Sequence, residues 1–443
     1  MRQLLTAFLL LTALGLQAKD YNIMDWGANN NLKYNSTQGI QNAIDICSKN
    51  GGGRVVVPAG EYRMGTIILR SNVRLYLEQG ATLYGSTDLK DYQRVKSSYQ
   101  SLRTNVETIQ LIYADSVENV TIDGYGTIDG RGSVFPKLSW DDEGITRPHL
   151  LRFIQSRNIV IKNITLRNSG CWMQHYLACD RVRIDGIKVT NRNNYNNDAL
   201  DLDGCHDVVV SNMIADSDDD AITLKSTSPR LCENITIQNC IVSSHCNAVK
   251  LGTETNGGFR NITIRGIVVK PSSDQSSQFF GKPIGISALS LEIVDGGTME
   301  NVSVSDLMVT GTESPIFVRL GHRGRGWLPG QKIEKVGQMR GLYINNVRVR
   351  DAGSYGCSIT GLPGHPVEDV HVSNVSIHYK GGQPKTTIPA DEKAAEYPEA
   401  TMWGPLPAKG FFVRHARKVS FDNIETYGTE TDERPEFVYE DVE

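Results

Sequence analysis

The chain has 443 residues, with 46 Lys and Arg against 50 Asp and Glu, 42 Gly, 16 Pro and 8 Cys. A formal charge of −4 excludes the polybasic surface that nucleic acid or an anionic membrane calls for. Glycine in that excess suits many turns between short strands and disfavours long helices.

The first 18 residues read MRQLLTAFLLLTALGLQA. A basic Arg2, an apolar run from Leu4 to Leu16 and a small residue at Ala18 make the pattern of a cleaved export signal. The run is shorter than the ~20 residues that span a bilayer. The expectation is a secreted or periplasmic protein with no membrane span, whose residues 19–443 form one domain and act as a monomer. Residues 37–50 (TQGIQNAIDICSKN) have helical apolar spacing and are expected to cap one end of that domain.

From about residue 119 onward one pattern recurs. A polar residue, often Asn, precedes apolar-x-apolar, then a polar pair, then apolar-x-apolar again. Examples are NIVIKNITL (158–166), NITIQNCIV (234–242), NITIRGIVV (261–269) and DVHVSNVSI (369–377). Alternation of β-branched residues signals short strands, and the polar pair signals a bend. Ile161, Ile184, Val210, Ile237 and Ile264 recur 23, 26, 27 and 27 residues apart. A repeat of that length made only of short strands predicts an all-β, single-stranded, right-handed parallel β-helix. Such coils bury a common core by stacking about 4.8 Å apart. Asn at the bends is expected to form ladders between coils. The sequons at Asn163, Asn234 and Asn261 are then parts of strands, not glycan sites. Long insertions at 88–108, 133–148, 270–285 and 380–408 are expected to wall a groove.

The eight Cys contain no CxxC pair, so no zinc site is indicated, and no metal or cofactor is expected. Disulfides and small buried core residues both remain open for them.

Three consecutive coils align without gaps. They are Asn197-Asp198-Ala-Leu-Asp201-Leu-Asp203, Asp219-Asp220-Ala-Ile-Thr223-Leu-Lys225 and Cys246-Asn247-Ala-Val-Lys250-Leu-Gly252. Leu200, Ile222 and Val249 would form one inner column, and Leu202, Leu224 and Leu251 another. The alignment stacks Asp198 on Asp220 with Asp219 alongside. Carboxylates that close push at least one proton affinity up, so one can act as general acid while another acts as base. That is the pair glycoside hydrolysis needs. Lys225 and Lys250 nearby would hold an acidic sugar.

These segments resemble the polygalacturonase family, glycoside hydrolase family 28. The resemblance covers nearly the whole chain after the leader. It includes the start, GYGTIDGRG at 124–132, and the family's Asn-x-Asp and Asp-Asp motifs at Asn196-Asn197-Asp198 and Asp219-Asp220. It implies a pectin lyase-like β-helix that hydrolyses α-linked galacturonate polymers with inversion and without a metal. Asp219 would be the general acid, and Asp198 and Asp220 would activate water. Two motifs depart. The family's Gly-His-Gly falls on Cys246-Asn247-Ala248, so Asn247 stands where His belongs. Arg-Ile-Lys falls near Val318-Arg319-Leu320-Gly321, keeping Arg319 but not the Lys. These departures point to an exo-acting enzyme or one acting on rhamnogalacturonan rather than ordinary homogalacturonan cleavage. Asn247, Lys250, Lys225 and Arg319, with Trp172 and His175 of CWMQH, are the expected substrate-binding residues. A polysaccharide lyase using Lys225 or Lys250 as base, and a non-catalytic carbohydrate-binding protein, are the alternatives on the same scaffold.

Overall fold

The computed structural model describes residues 19–275 and 284–443. The expected leader lies outside the described residues, as do residues 276–283 of the insertion at 270–285. Helix Thr37–Lys49 buries Ile40, Ala43, Ile44 and Cys47 against the first coil, as its apolar spacing requires.

Beyond it, strand stacks on strand in register. Glu118–Gly124 pairs with Arg157–Lys162, then come Asp180–Asp185, His206–Ser211, Cys232–Ser244, Gly258–Val269 and Thr298–Leu320, every pair parallel. Ile161, Ile184, Val210, Ile237 and Ile264 occupy one column of these pairings, so the spacing read from the sequence is the coil length. Only the short Arg94–Val95 strand runs antiparallel to its partner among the described strands. The fold is the expected parallel β-helix. One continuous apolar core runs through it from Tyr21 to Ala416. The eight cysteines are all free and buried, so none is joined in a disulfide.

The bends repeat for a reason. Asn119, Asn158, Asn234, Asn261 and Asn301 all have φ between 55° and 58°. Asn tolerates this left-handed region better than other residues with a side chain. Their amides then bond from coil to coil: Asn158 to Asn119 at 2.8 Å, Asn261 to Asn234 at 3.1 Å and Asn301 to Asn261 at 2.8 Å.

A second set of strands forms the face that carries the long insertions. His149–Ile154, Gln174–Leu177, Asp201–Asp203, Ile222–Ser226, Asn247–Thr255 and Gly285–Ile293 stack there. Their register lines up Arg152, His175, Asp201, Thr223, Lys250 and Ser290. The inner columns expected from the alignment, Leu200-Ile222-Val249 and Leu202-Leu224-Leu251, are wholly buried.

Candidate active site

Backbone bonds place the three aspartate-bearing turns on adjacent coils. Ala199 N–H donates to the carbonyl of Asp220 at 3.0 Å, and Ala221 N–H to that of Asn247 at 2.9 Å. Asp198, Asp219 and Asp220 therefore share the wall of one pocket of about 530 Å³. Burial is the largest influence on each shifted carboxyl there. Burial, then Asp201 and Asp219, push Asp198 well above the usual range. Burial, with Asp220, pushes Asp219 up to about 7. Asp201, fully buried three residues further along, is pushed up to about 8 by burial, opposed by Lys225 and reinforced by Asp220 and Asp219.

Asp220 has a different setting. Its Oδ1 accepts from the backbone N–H of Asn247 at 3.1 Å and from the Asn247 amide at 2.8 Å. Its Oδ2 pairs with Lys250 Nζ at 3.2 Å. Three donors on two oxygens suit an acceptor-only carboxylate. The pocket thus holds carboxyls that tend to keep a proton beside one fully engaged as an acceptor, the division of labour that acid–base cleavage requires.

Cations gather on one side of these carboxyls. Lys225 Nζ lies 3.9 Å from Asp198, 3.5 Å from Asp201 and 3.5 Å from Glu254. Arg103 and Arg325 reach the other oxygen of Glu254 at 2.5 and 2.7 Å. Burial would raise the Glu254 carboxyl, but Arg103, Lys225 and Arg325 outweigh it and hold the group well below its usual range. Arg103 and Lys225 also lie over the Trp172 ring, 4.7 and 4.8 Å from its centroid. Arg323, bonded to the Thr253 carbonyl at 3.0 Å, completes this side.

A strand irregularity builds this cluster. Leu224 pairs with Leu251, but Ser226 pairs with Thr255, so two extra residues follow Leu251. The column expected to place Gly252 beside Lys225 does not form; the bulge puts Glu254 there instead. Gly252 has φ 142°, and a Cβ on it would stand 2.8 Å from the Cβ of Glu292, so the bulge needs glycine.

Of the expected binding residues, Lys225 and Trp172 line the pocket. Trp172 is only 3% exposed and serves as a platform for the two cations more than as an open shelf for a sugar. His175 lies beneath it, edge-on at 5.0 Å, and bonds Asp203 at 3.2 Å. Burial pushes its imidazole down to about 4, so it is neutral at ordinary pH. Asn247 and Lys250 are buried behind Asp220 and do not line the pocket. Arg319 is not brought to the pocket. Its guanidinium bonds the carbonyls of Gly361 at 3.1 Å and Glu392 at 2.5 Å and stacks 5.0 Å over Trp403. It anchors the 380–408 insertion, where the alignment had set it as a sugar ligand.

That insertion sends Tyr397 and Glu399 into the pocket, while Arg103, Asp141 and Glu143 come from the insertions at 88–108 and 133–148. Sequence reading named the insertions but not these residues, because loop residues carry no periodicity to align.

Asp219, Asp220 and Cys246 bring one ligand atom each within 4.8 Å of one another, the only group of three metal-ligand side chains among the described residues. The set does not suit a divalent ion. Both Asp220 oxygens are engaged, one of them by a lysine ammonium. Burial also pushes the Cys246 thiol well up, away from the thiolate a metal binds.

Comparison with known proteins gives the family of the chain. Residues 47–395 match the model of glycosyl hydrolases family 28. A probable polygalacturonase of Vitis vinifera is 29% identical over 225 residues, 48% of this chain and 46% of that one. An exo-poly-alpha-D-galacturonosidase of Dickeya chrysanthemi is 26% identical over 252 residues, 46% of this chain and 41% of that one. The chain thus spans about half the length of the curated relatives it matches. The crystal structure of a hyperthermoactive exopolygalacturonase from Thermotoga maritima superposes with a TM-score of 0.71, covering 94% of this chain and 93% of that one, at 22% identity. A likeness at that identity speaks for the fold alone.

Proposed function

Because the chain belongs to glycosyl hydrolases family 28, we propose that it is an exported, exo-acting hydrolase that removes galacturonate from the end of a pectic chain, with inversion. One observation carries the reading: three aspartates from adjacent coils share one pocket with four cations, Arg103, Lys225, Arg323 and Arg325. Asp219 donates a proton to the glycosidic oxygen as the C–O bond breaks. Asp220, aided by Asp198, takes a proton from the water whose oxygen adds to the anomeric carbon. The cations take the sugar carboxylate. Insertions that deliver Arg103, Glu143, Tyr397 and Glu399 to the pocket wall favour a chain end over a chain middle. The names of the relatives, an exo-galacturonosidase among them, support the same substrate.

The two lysines argue against the lyase alternative. Burial lowers the affinity of Lys225 for its proton, but Glu254, Asp201 and Asp198 outweigh it, and Lys250 is held likewise by Asp220. Both stay charged and are poor bases for β-elimination.

Incubation with short oligogalacturonides, followed by chromatography and by NMR of the first anomer formed, tests the proposal. Stepwise release of monogalacturonate with inverted configuration is expected. Internal cleavage would remove the exo reading, and an unsaturated uronide product would replace hydrolysis with elimination.

A further inference from the structure

Lys250 is 1% exposed and separated from the pocket by Asp220 and Tyr397. Its Nζ stands 3.2 Å from Asp220 Oδ2 and 3.1 Å from the Tyr397 hydroxyl, whose ring it also faces at 5.3 Å. It cannot reach a bound sugar without displacing both. Asn247 completes the grip on the other Asp220 oxygen. The Ser287 hydroxyl donates to the Asn247 carbonyl oxygen at 2.6 Å, which turns the amide NH2 toward Asp220. This chain has Asn247 where the resemblance set a histidine, so the grip is built from different parts here.

We propose that Lys250 is a positioning residue which, with Asn247, holds both oxygens of Asp220 in place as the water-activating base, and whose bond to Tyr397 ties the 380–408 insertion to that base. The inference rests on the reading of Asp220 as base in a hydrolase. Such partners behind a reacting group fix its orientation and its charge state. The other ionisable groups around Lys250 are Cys246 on its own coil, Glu292 from the next coil and Glu399 from the insertion; those around Asp220 are Asp198, Asp201, Asp219 and Lys225. Burial pushes Glu292 up to about 7 and Glu399 up to about 8. Lys250 is the cation in ion-pair contact with Asp220 among the described residues.

Two readouts separate this role from sugar binding. Steady-state kinetics on the oligogalacturonide that the enzyme cleaves should show Lys250→Met lowering kcat by about 10- to 100-fold with KM nearly unchanged, the size typical of lost support behind a reacting group. The acid limb of its kcat profile should move to higher pH, and Lys250→Arg should recover most of the rate. A raised KM with an unmoved acid limb would make Lys250 a substrate ligand and overturn the proposal. The second readout needs no substrate: carbon-detected NMR titration of the Asp220 carboxyl. Its midpoint should rise in Lys250→Met, and an unchanged midpoint would contradict the proposal even if the hydrolase reading stands. Conversely, an enzyme inactive on every uronide but with a shifted midpoint would sink the hydrolase reading and leave the grip intact. Should Lys250→Met fail to fold, Tyr397→Phe, which removes only the hydroxyl contact, should lower kcat about threefold without moving KM; a wild-type rate would overturn the tie to the insertion.

Discussion

Two columns of outward-facing residues run along the same β-helix and are stacked by the same backbone pairing. On one face Asn119, Asn158, Asn234, Asn261 and Asn301 recur at the bends, and neighbouring amides bond coil to coil. On the other face the order is Arg152, His175, Asp201, Thr223, Lys250 and Ser290, with no residue type repeated. The first column satisfies its polar groups within itself. The second leaves buried atoms without a hydrogen-bond partner, among them Arg152 Nε, His175 Nδ1 and Thr223 Oγ1. A stacked coil fixes where a side chain goes and is nearly indifferent to what it is. Repetition therefore makes structure, and the broken repetition opposite concentrates charge that the fold would be more stable without.

That contrast can be broken most severely at Gly252. Alanine there adds a Cβ beside Glu292 at a φ of 142°. The expected loss is about 3 kcal/mol or more, read by denaturant unfolding, with activity falling too as Glu254 moves away from Lys225. A neutral effect would show that the bulge relaxes freely.

A smaller effect should appear in the dependence of stability on pH. Asp219 and Asp201 sit at about 7 and about 8 in the folded chain against 3.8 in a free side chain. Glu292 and Glu399 sit at about 7 and about 8 against 4.5. The folded state then binds more protons than the unfolded state between about pH 4 and pH 8, so stability should fall as pH rises through that window. Asp201→Asn should flatten the fall. Its melting temperature should exceed that of the wild type by about one degree near pH 8 and by little near pH 4, on the order of 1 kcal/mol converted to temperature. A steeper fall in the variant would contradict the burial argument.

An effect of similar size, but confined to stability, belongs to the repetitive face. Asn261→Ala removes an amide bonded both to Asn234 and to Asn301 and leaves alanine at a φ of 55°. About 1 to 2 kcal/mol should be lost, with kcat/KM unchanged. Asn261→Gly, which keeps the backbone geometry, should recover part of it. Altered kinetics in either variant would mean that the two faces are coupled.

How much of this the sequence disclosed follows the same division. The coil length was legible in Ile161, Ile184, Val210, Ile237 and Ile264, because alternation and spacing are properties of the repeat itself. The stacking of Asp198, Asp220 and Asn247 followed from matching the Ala and aliphatic columns of three consecutive coils. What lay beyond that came from departures from repetition. The two extra residues after Leu251 are marked only by Gly252 within a strand pattern, a sign of a bulge that does not say which residue it re-aims. Arg319 sits in the outward column where the alignment set it, yet the insertion at 380–408 offers it the Glu392 carbonyl and Trp403 and draws it away. Arg103 and Tyr397 meet the carboxylates from far away in the chain, through loops that have no period.

The proposed hydrolysis requires Asp198, Asp219 and Asp220 to act together as an acid and a base. Reducing-end release from an oligogalacturonide by Asp219→Asn tests that most directly, with folding checked by its melting temperature. The expected rate is about 10²- to 10⁴-fold below that of the wild type, the usual cost of removing a general acid, with the melting temperature equal or higher. A wild-type rate from the folded variant would contradict the assignment of this pocket as the catalytic centre.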